Sequence, residues 1–399
     1  MRKPKSGKTA ADPNPDAQRR LAYFEERRDA MVATIRELVE IESPSDDKAA
    51  VDRLSEVVAQ KFSALGGAVR VHRANDFGNH LQVDFAGSAA GKPVLLLGHY
   101  DTVYPLGTLA KMPCRVDGGK LTGPGVLDMK SGIALMLAAI AELRDWHNSQ
   151  GRSLLPRPVS VLLVSDEEVG SDSSRPITES LAKEAAAVLV LEPSYGFEGA
   201  VKTARKGVGD YTIKVTGRSS HAGLDFQKGV NAILELARQI EKVSRFTDLK
   251  KGLTVNVGIV NGGSRTNVVP AEAVAQVDVR IARMKDAAGI DKKMHALRPL
   301  NRKCSLAISG GINRPPMERT DGVAALYAQA VKIARELGWK LAEAAVGGGS
   351  DGNFTAGLGI PTLDGLGGVG DGAHAVHEHI LIPQLPRRAA LVAGLIESV

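Results

Sequence analysis

"PVLLLGH", residues 93–99, and "PVSVLLVSD", residues 158–166, are apolar almost without interruption until a histidine and an acidic cluster end them. A strand exposed on one face alternates, whereas a run that is apolar at nearly every position suits a strand buried on both faces of a parallel sheet. Between the two runs "SGIALMLAAIAELRDW" (131–146) supplies a helix, and "AAVLVLEP" (186–193) supplies another buried run after them. The order β, α, β, α, β predicts an α/β domain with a mixed, largely parallel sheet and helices on both sides. Ligands of such sheets bind beyond the carboxyl ends of the strands. The residues that follow the runs are His99 and Asp101, then Asp166, Glu167 and Glu168, then Glu192, and all are expected on one rim.

Upstream, "LAYFEERRDAMVATIRELVEI" (21–41) and "AAVDRLSEVVAQKFSALG" (49–66) have the apolar period of amphipathic helices. Downstream of about Arg205 the pattern changes to alternating strands, "GVGDYTIKVTG", "LTVNVGIV", "AVAQVDVRIA" and "KCSLAIS", with helices expected over 229–246 and 285–300. A small sheet with two helices on one face, an α+β (ferredoxin-like) module inserted over 206–311, accounts for this. The main domain then comprises 21–205 and 312–399. The leading residues 1–20, rich in Lys, Arg, Pro and Ser, are expected to be a disordered tail.

Composition narrows the function classes. The 399-residue chain carries a formal charge of +6 with only 4% aromatic residues, which does not suit a nucleic-acid surface. "SGKT" (6–9) lacks the glycine that precedes it in a phosphate-binding loop, and no apolar strand leads into it. No apolar leader and no run of about 18 uncharged apolar residues is present, so the expectation is a cytoplasmic protein without a membrane span. Cys114 and Cys304 form no C-x-x-C pair, and disulfide stapling is not expected.

The strand-end residues carry the chemistry. His99 and Asp101, at i and i+2 in an extended segment, lie on the same side, so the imidazole can ligate a metal while the carboxylate orients it. Asp128, between glycines and just before a helix, is either a helix cap or a carboxylate bridging two cations. Three adjacent carboxylates at a buried strand end destabilise one another unless a cation or protons offset the charge. Of two adjacent glutamates, one can ligate metal while its neighbour acts as general base. "GDGAHAVHEH" (370–379) adds His374, His377 and His379. Nitrogen and oxygen donors without thiolates suit zinc, manganese or cobalt at a catalytic centre.

"HYDTVYPLGTLAKMPCRVDGGKLTGPGVLDMKSG" (99–132), "SDEEVGS", "LEPS", "GRSSHAG" and "GGGSDGNF" resemble the co-catalytic dizinc metallopeptidases that include glutamate carboxypeptidase, aminoacylase, acetylornithine deacetylase and succinyl-diaminopimelate desuccinylase. The resemblance runs from about residue 30 to the end and is nearest to glutamate carboxypeptidase. It implies a zinc-peptidase-like catalytic domain with an inserted dimerisation lid, and two Zn2+ per chain, with Co2+ or Mn2+ as substitutes. His99 and Glu192 would bind one zinc, Glu168 and His374 the other, and Asp128 would bridge them. Glu167 would be the general base and Asp101 the partner of His99. In the lid, His221 would reach the partner subunit's site with Asn267 close to it, and Arg280 would hold a substrate carboxylate together with backbone groups of "VGGGS" (346–350), among them Gly349.

The expected activity is hydrolysis of an amide bond next to a free carboxylate. Release of a C-terminal amino acid such as glutamate from a small peptide or folyl conjugate leads, with N-acyl-amino-acid hydrolysis as the alternative. A non-catalytic binding protein on the same fold is the rival from a different class. It is disfavoured because both Glu167 and Asp128 are present. The expected assembly is a homodimer.

Overall fold

A computed structural model describes residues 14–399. Residues 1–13, with most of the expected tail and the "SGKT" stretch, lie outside the described residues. The described residues form two compact units. One runs to Thr203 and resumes over Thr320–Ala344 and Ile360–Val399; the other takes Ala204–Arg319 and Ala345–Gly359.

The expected tail is corrected at its end, because Pro15–Glu26 is helical. Pro15 occupies the first turn, and the Asn14 side chain accepts from the Asp16 amide at 3.1 Å. Arg20 is the last residue of the expected tail. In the fold it is buried, with its guanidinium 3.1 Å from Glu142 and 2.7 Å from Glu397. The single helix expected over 21–41 is instead two, Pro15–Glu26 and Arg28–Val39, separated at Arg27. Buried Phe24 and Met31 keep helical spacing across the break, so periodicity alone does not register it.

The first unit is built on a six-stranded sheet in the order Ala68–His72, His80–Phe85, Val159–Val164, Val94–His99, Ala187–Val190, Thr362–Leu363. The pairings from Val159–Val164 onward are parallel, and the first two are antiparallel. Both faces of the central strands are covered, as their unbroken apolar runs require. Leu95, Leu97, Leu162 and Val164 pack with Ala182 of the helix Arg175–Glu184. Leu96, Val161 and Leu163 belong to the opposite core with Ile133, Met136 and Ile140 of the helix Ser131–Ser149 and Leu391 of Leu385–Ser398. Each such Leu, Ile, Val or Met side chain contributes about 1.5–3 kcal/mol on burial.

Register aligns the strand ends. Leu97 pairs with Val190 and His99 with Val164, so Glu192 stands level with His99 and the Asp166–Glu168 turn begins just beyond it. A separate four-stranded sheet, Gly370–Asp371, His379–Leu381, Lys120–Thr122 and Arg115–Asp117, did not emerge from the sequence. It pairs Leu121 with Ile380 and so holds the histidine-rich hairpin beside the segment leading to Asp128.

The second unit contains an antiparallel sheet in the order Thr254–Gly262, Glu272–Ile281, Gly207–Thr216, Ser305–Arg314. Its helices are Ala232–Ser244 and Ala287–His295, giving the βαββαβ order of a ferredoxin-like module. Alternation decides its faces: Tyr211, Ile213 and Val215 enter the core with Leu236 and Ile290, while Asp210, Lys214 and Thr216 are exposed.

Candidate metal centre

His99 ends its strand almost fully buried, and its Nδ1 donates to the Asp101 backbone carbonyl at 3.0 Å, with Asp101 Oδ1 at 3.4 Å. The ring is therefore oriented mainly by the main chain of Asp101, with the carboxylate second. His99 Nε2 faces Asp128 Oδ1 at 3.1 Å and Glu192 Oε1 at 3.4 Å. Burial lowers the basicity of this imidazole, but hydrogen bonds to Asp101, Asp128 and Glu192 outweigh it and hold its pKa well above the ordinary value.

Asp128 lies between Gly125, at φ +71°, and the helix Ser131–Ser149. That helix has no side-chain cap, so the capping alternative is not realised. The Asp128 oxygens point in two directions instead: Oδ1 to His99, and Oδ2 to His374 Nε2 at 3.3 Å. Burial pushes its carboxyl up, and the two histidines more than reverse this, holding it below the usual carboxylate range.

Glu168 sits in the short turn Glu167–Val169 after the central strand, with both carboxylate oxygens 3.2 Å from His374 Nε2. Burial raises its pKa, and the hydrogen bond from His374 opposes this. His374 is half-exposed at φ +64°, and hydrogen bonds to Asp128 and Glu168 raise its pKa to about 10. Among the three clustered histidines only His374 reaches these carboxylates. The His377 carbonyl accepts from His379 Nδ1 at 2.9 Å, and the His379 ring stacks on Phe197.

Two groups of donors result, His99–Asp128–Glu192 and Asp128–Glu168–His374, with the donor atoms of each within 4.8 Å of one another. They share Asp128. Glu167 belongs to neither group, although it adjoins Glu168. Asp101, fully buried, fixes that turn: its Oδ1 accepts from the Glu167 amide at 3.3 Å and its Oδ2 from the Glu168 amide at 3.2 Å. Ser45 donates to Asp101 Oδ2 at 2.7 Å. Nothing in "IESPSDD" marks Ser45 in the sequence, because its partner lies beyond the end of the strand Val94–His99, which it meets only on folding.

The remaining expected site residues lie in the second unit. His221 is exposed, and its Nδ1 accepts from the amides of Gly223 (3.1 Å) and Leu224 (3.2 Å). Asn267 is joined to the same loop, its carbonyl accepting from the Ala222 amide at 2.9 Å. The Arg280 guanidinium is held by Asp278 on its own strand at 2.8–3.0 Å. The Gly349 carbonyl accepts from Arg205 Nη1 at 3.0 Å.

Two cations could share this arrangement. Its donors are imidazole nitrogens and carboxylate oxygens, without thiolate, and three protein ligands per position are what an open catalytic zinc site has.

Comparison with known proteins points the same way. The sequence profile of peptidase family M20/M25/M40 matches residues 95–398. Carboxypeptidase G2 from Pseudomonas sp. (strain RS-16) is 31% identical over 373 residues, covering 92% of this chain and 88% of the relative. Among solved structures, aminopeptidase PepT from Bacillus cereus superimposes with a TM-score of 0.73 at 23% identity, covering 93% of this chain and 98% of that one. The M20 family metallo-carboxypeptidase Sso-CP2 from Sulfolobus solfataricus gives 0.72 at 17% identity, covering 92% and 98%. These two likenesses are of fold.

Proposed function

The chain belongs to peptidase family M20/M25/M40, a metallopeptidase by its relatives and its donor cluster, and from that premise we propose a dizinc carboxypeptidase. It cleaves an amide bond next to a free carboxylate and releases a C-terminal glutamate or a similar amino acid from small peptides or N-acyl and folyl conjugates. The observation that carries this reading is the pair of donor groups sharing Asp128, with Glu167 beside them and outside both. A carboxypeptidase 31% identical across most of both chains supports the choice of scissile bond.

His99 and Glu192 would hold one zinc, Glu168 and His374 the other, and Asp128 both. Zinc in such a centre supplies Lewis acidity toward the scissile carbonyl and makes water acidic enough to attack near neutral pH. The chain's own part is proton handling and orientation. Glu167 takes the proton of the attacking water at its carboxylate and delivers it to the leaving amine nitrogen. Asp101 holds Glu167 and Glu168 in register through their amides while it keeps the His99 ring turned so that Nε2 faces the cluster. Arg280 and the Gly349 segment bind the substrate carboxylate, a planar fork being suited to it. His221 and Asn267 serve the scissile carbonyl within a homodimer. Cys114 and Cys304 are both unpaired, which fits a reducing compartment such as the cytoplasm. No helix among the described residues is long and apolar enough to cross a membrane.

The test compares the wild type with Glu167→Gln. Both should bind two zinc ions per chain, while kcat of the variant falls by about 10²–10⁴-fold. A zinc-loaded variant turning over at the wild-type rate would remove Glu167 from the reaction.

A further inference from the structure

We propose that Glu378 is a positioning residue that ties the loop bearing Asp128 to the hairpin bearing His374, and that the site's metal affinity depends on its carboxylate. The inference rests on the metallopeptidase reading above and concerns a residue outside both donor groups.

Glu378 is fully buried and accepts four hydrogen bonds. Its Oε1 accepts from the amides of Leu127 (2.7 Å) and Asp128 (2.9 Å). Its Oε2 accepts from the Gly125 amide (3.0 Å) and the Tyr104 hydroxyl (2.7 Å). Four donors fill the capacity of one carboxylate.

The backbone it holds needs such a partner. Gly123 and Gly125 have φ of +149° and +71°, and both Asp128 (φ −110°, ψ 94°) and Met129 (φ −133°, ψ 42°) depart from helical geometry within the turn Val126–Lys130. Amides in an irregular turn have no strand ladder to satisfy them, and buried ones left unpaired are costly. Successive amides turned to one side make a concave site for an anion, and Glu378 fills it.

The same carboxylate stands four residues after His374. The hairpin is closed by Ala375 N–H to the Gly372 carbonyl (2.8 Å) and Glu378 N–H to the Ala375 carbonyl (3.0 Å). Tyr104 Oη also lies 3.1 Å from the Ala375 carbonyl. One side chain therefore joins the segment after His99, the Asp128 loop and the His374 hairpin. Packing alone would favour a neutral group here, because Asp128 already bears negative charge next door. An amide of the same shape would turn its NH2 either on the Leu127 and Asp128 donors or on the Gly125 donor. The carboxylate is the group that accepts from all four donors.

The experiment measures Zn2+ binding to the full chain by competition with a chromophoric chelator for wild type, Glu378→Gln and Tyr104→Phe. It adds urea unfolding of each metal-free protein and the absorption spectrum of each Co2+-loaded one. Expected for Glu378→Gln is a zinc affinity about 10–100-fold lower, the range typical of losing a group that orients ligands. Its Co2+ spectrum changes, its metal-free unfolding midpoint falls while the protein stays fully folded without urea, and saturating zinc restores KM. Tyr104→Phe, which removes one of the four donors, shows a smaller loss in the same direction. Equal zinc affinity and an unchanged Co2+ spectrum in Glu378→Gln, with wild type binding two zinc ions, overturn this inference alone. So does a loss of affinity that merely tracks the unfolded fraction of both variants. A wild-type chain that binds no zinc overturns the functional reading and this inference with it.

Discussion

Asp128 Oδ2 lies 3.3 Å from His374 Nε2, while the other oxygen of the same carboxylate lies 3.1 Å from His99 Nε2. One side chain thus faces two histidines brought from distant parts of the chain, and Asp128 is the residue that the two donor groups share.

Replacing Asp128 with Ala should leave fewer than two metal ions per chain and lower turnover by several orders of magnitude. Elemental analysis of the purified variant against wild type measures it. Retention of two tightly held ions would show that the two donor groups do not depend on a shared carboxylate.

A pH dependence follows from the charges. Hydrogen bonds to Asp128 and Glu168 raise the His374 pKa to about 10 in the metal-free protein, above its ordinary value near 6.5. Because the folded value is the higher, this pairing stabilises the metal-free fold fully below about pH 6.5 and is lost as pH rises through about 10. The Tm of chelator-treated wild type, taken relative to His374→Asn, should therefore fall between pH 6 and pH 10; a constant difference would contradict the pairing. Zinc affinity should move the opposite way, rising with pH, since a ligating imidazole must be neutral.

How much of this was legible in the sequence depended on which contacts are local. His99 and Glu192 could be read because parallel strands deliver their carboxyl ends to one rim, and the register of Leu97 with Val190 carries this out. Asp128 stayed ambiguous between cap and bridge, since its two histidine neighbours come from distant parts of the chain. Arg20 was misread as part of a tail because its partners, Glu142 and Glu397, come from helices far along the chain. Ser45 fared the same: a serine carries no periodic signal, and its hydrogen bond exists only through Asp101.

The dimer proposal makes a prediction by mixing. Glu167→Gln and His221→Ala chains should each be nearly inactive alone, and activity should return after subunit exchange, because one site in each heterodimer would have both residues intact. Sedimentation showing a monomer at working concentration, or verified exchange without recovery, would confine His221 to its own subunit.

The products identify the bond that is cut. The direct measurement is mass-spectrometric identification of products from the zinc-loaded protein given a peptide ending in glutamate, the same peptide amidated at its C-terminus, and N-acetylglutamate. Free glutamate is expected from the first, and no turnover of the amidated form. Release of the N-terminal residue, or equal turnover of the amidated peptide, would contradict it.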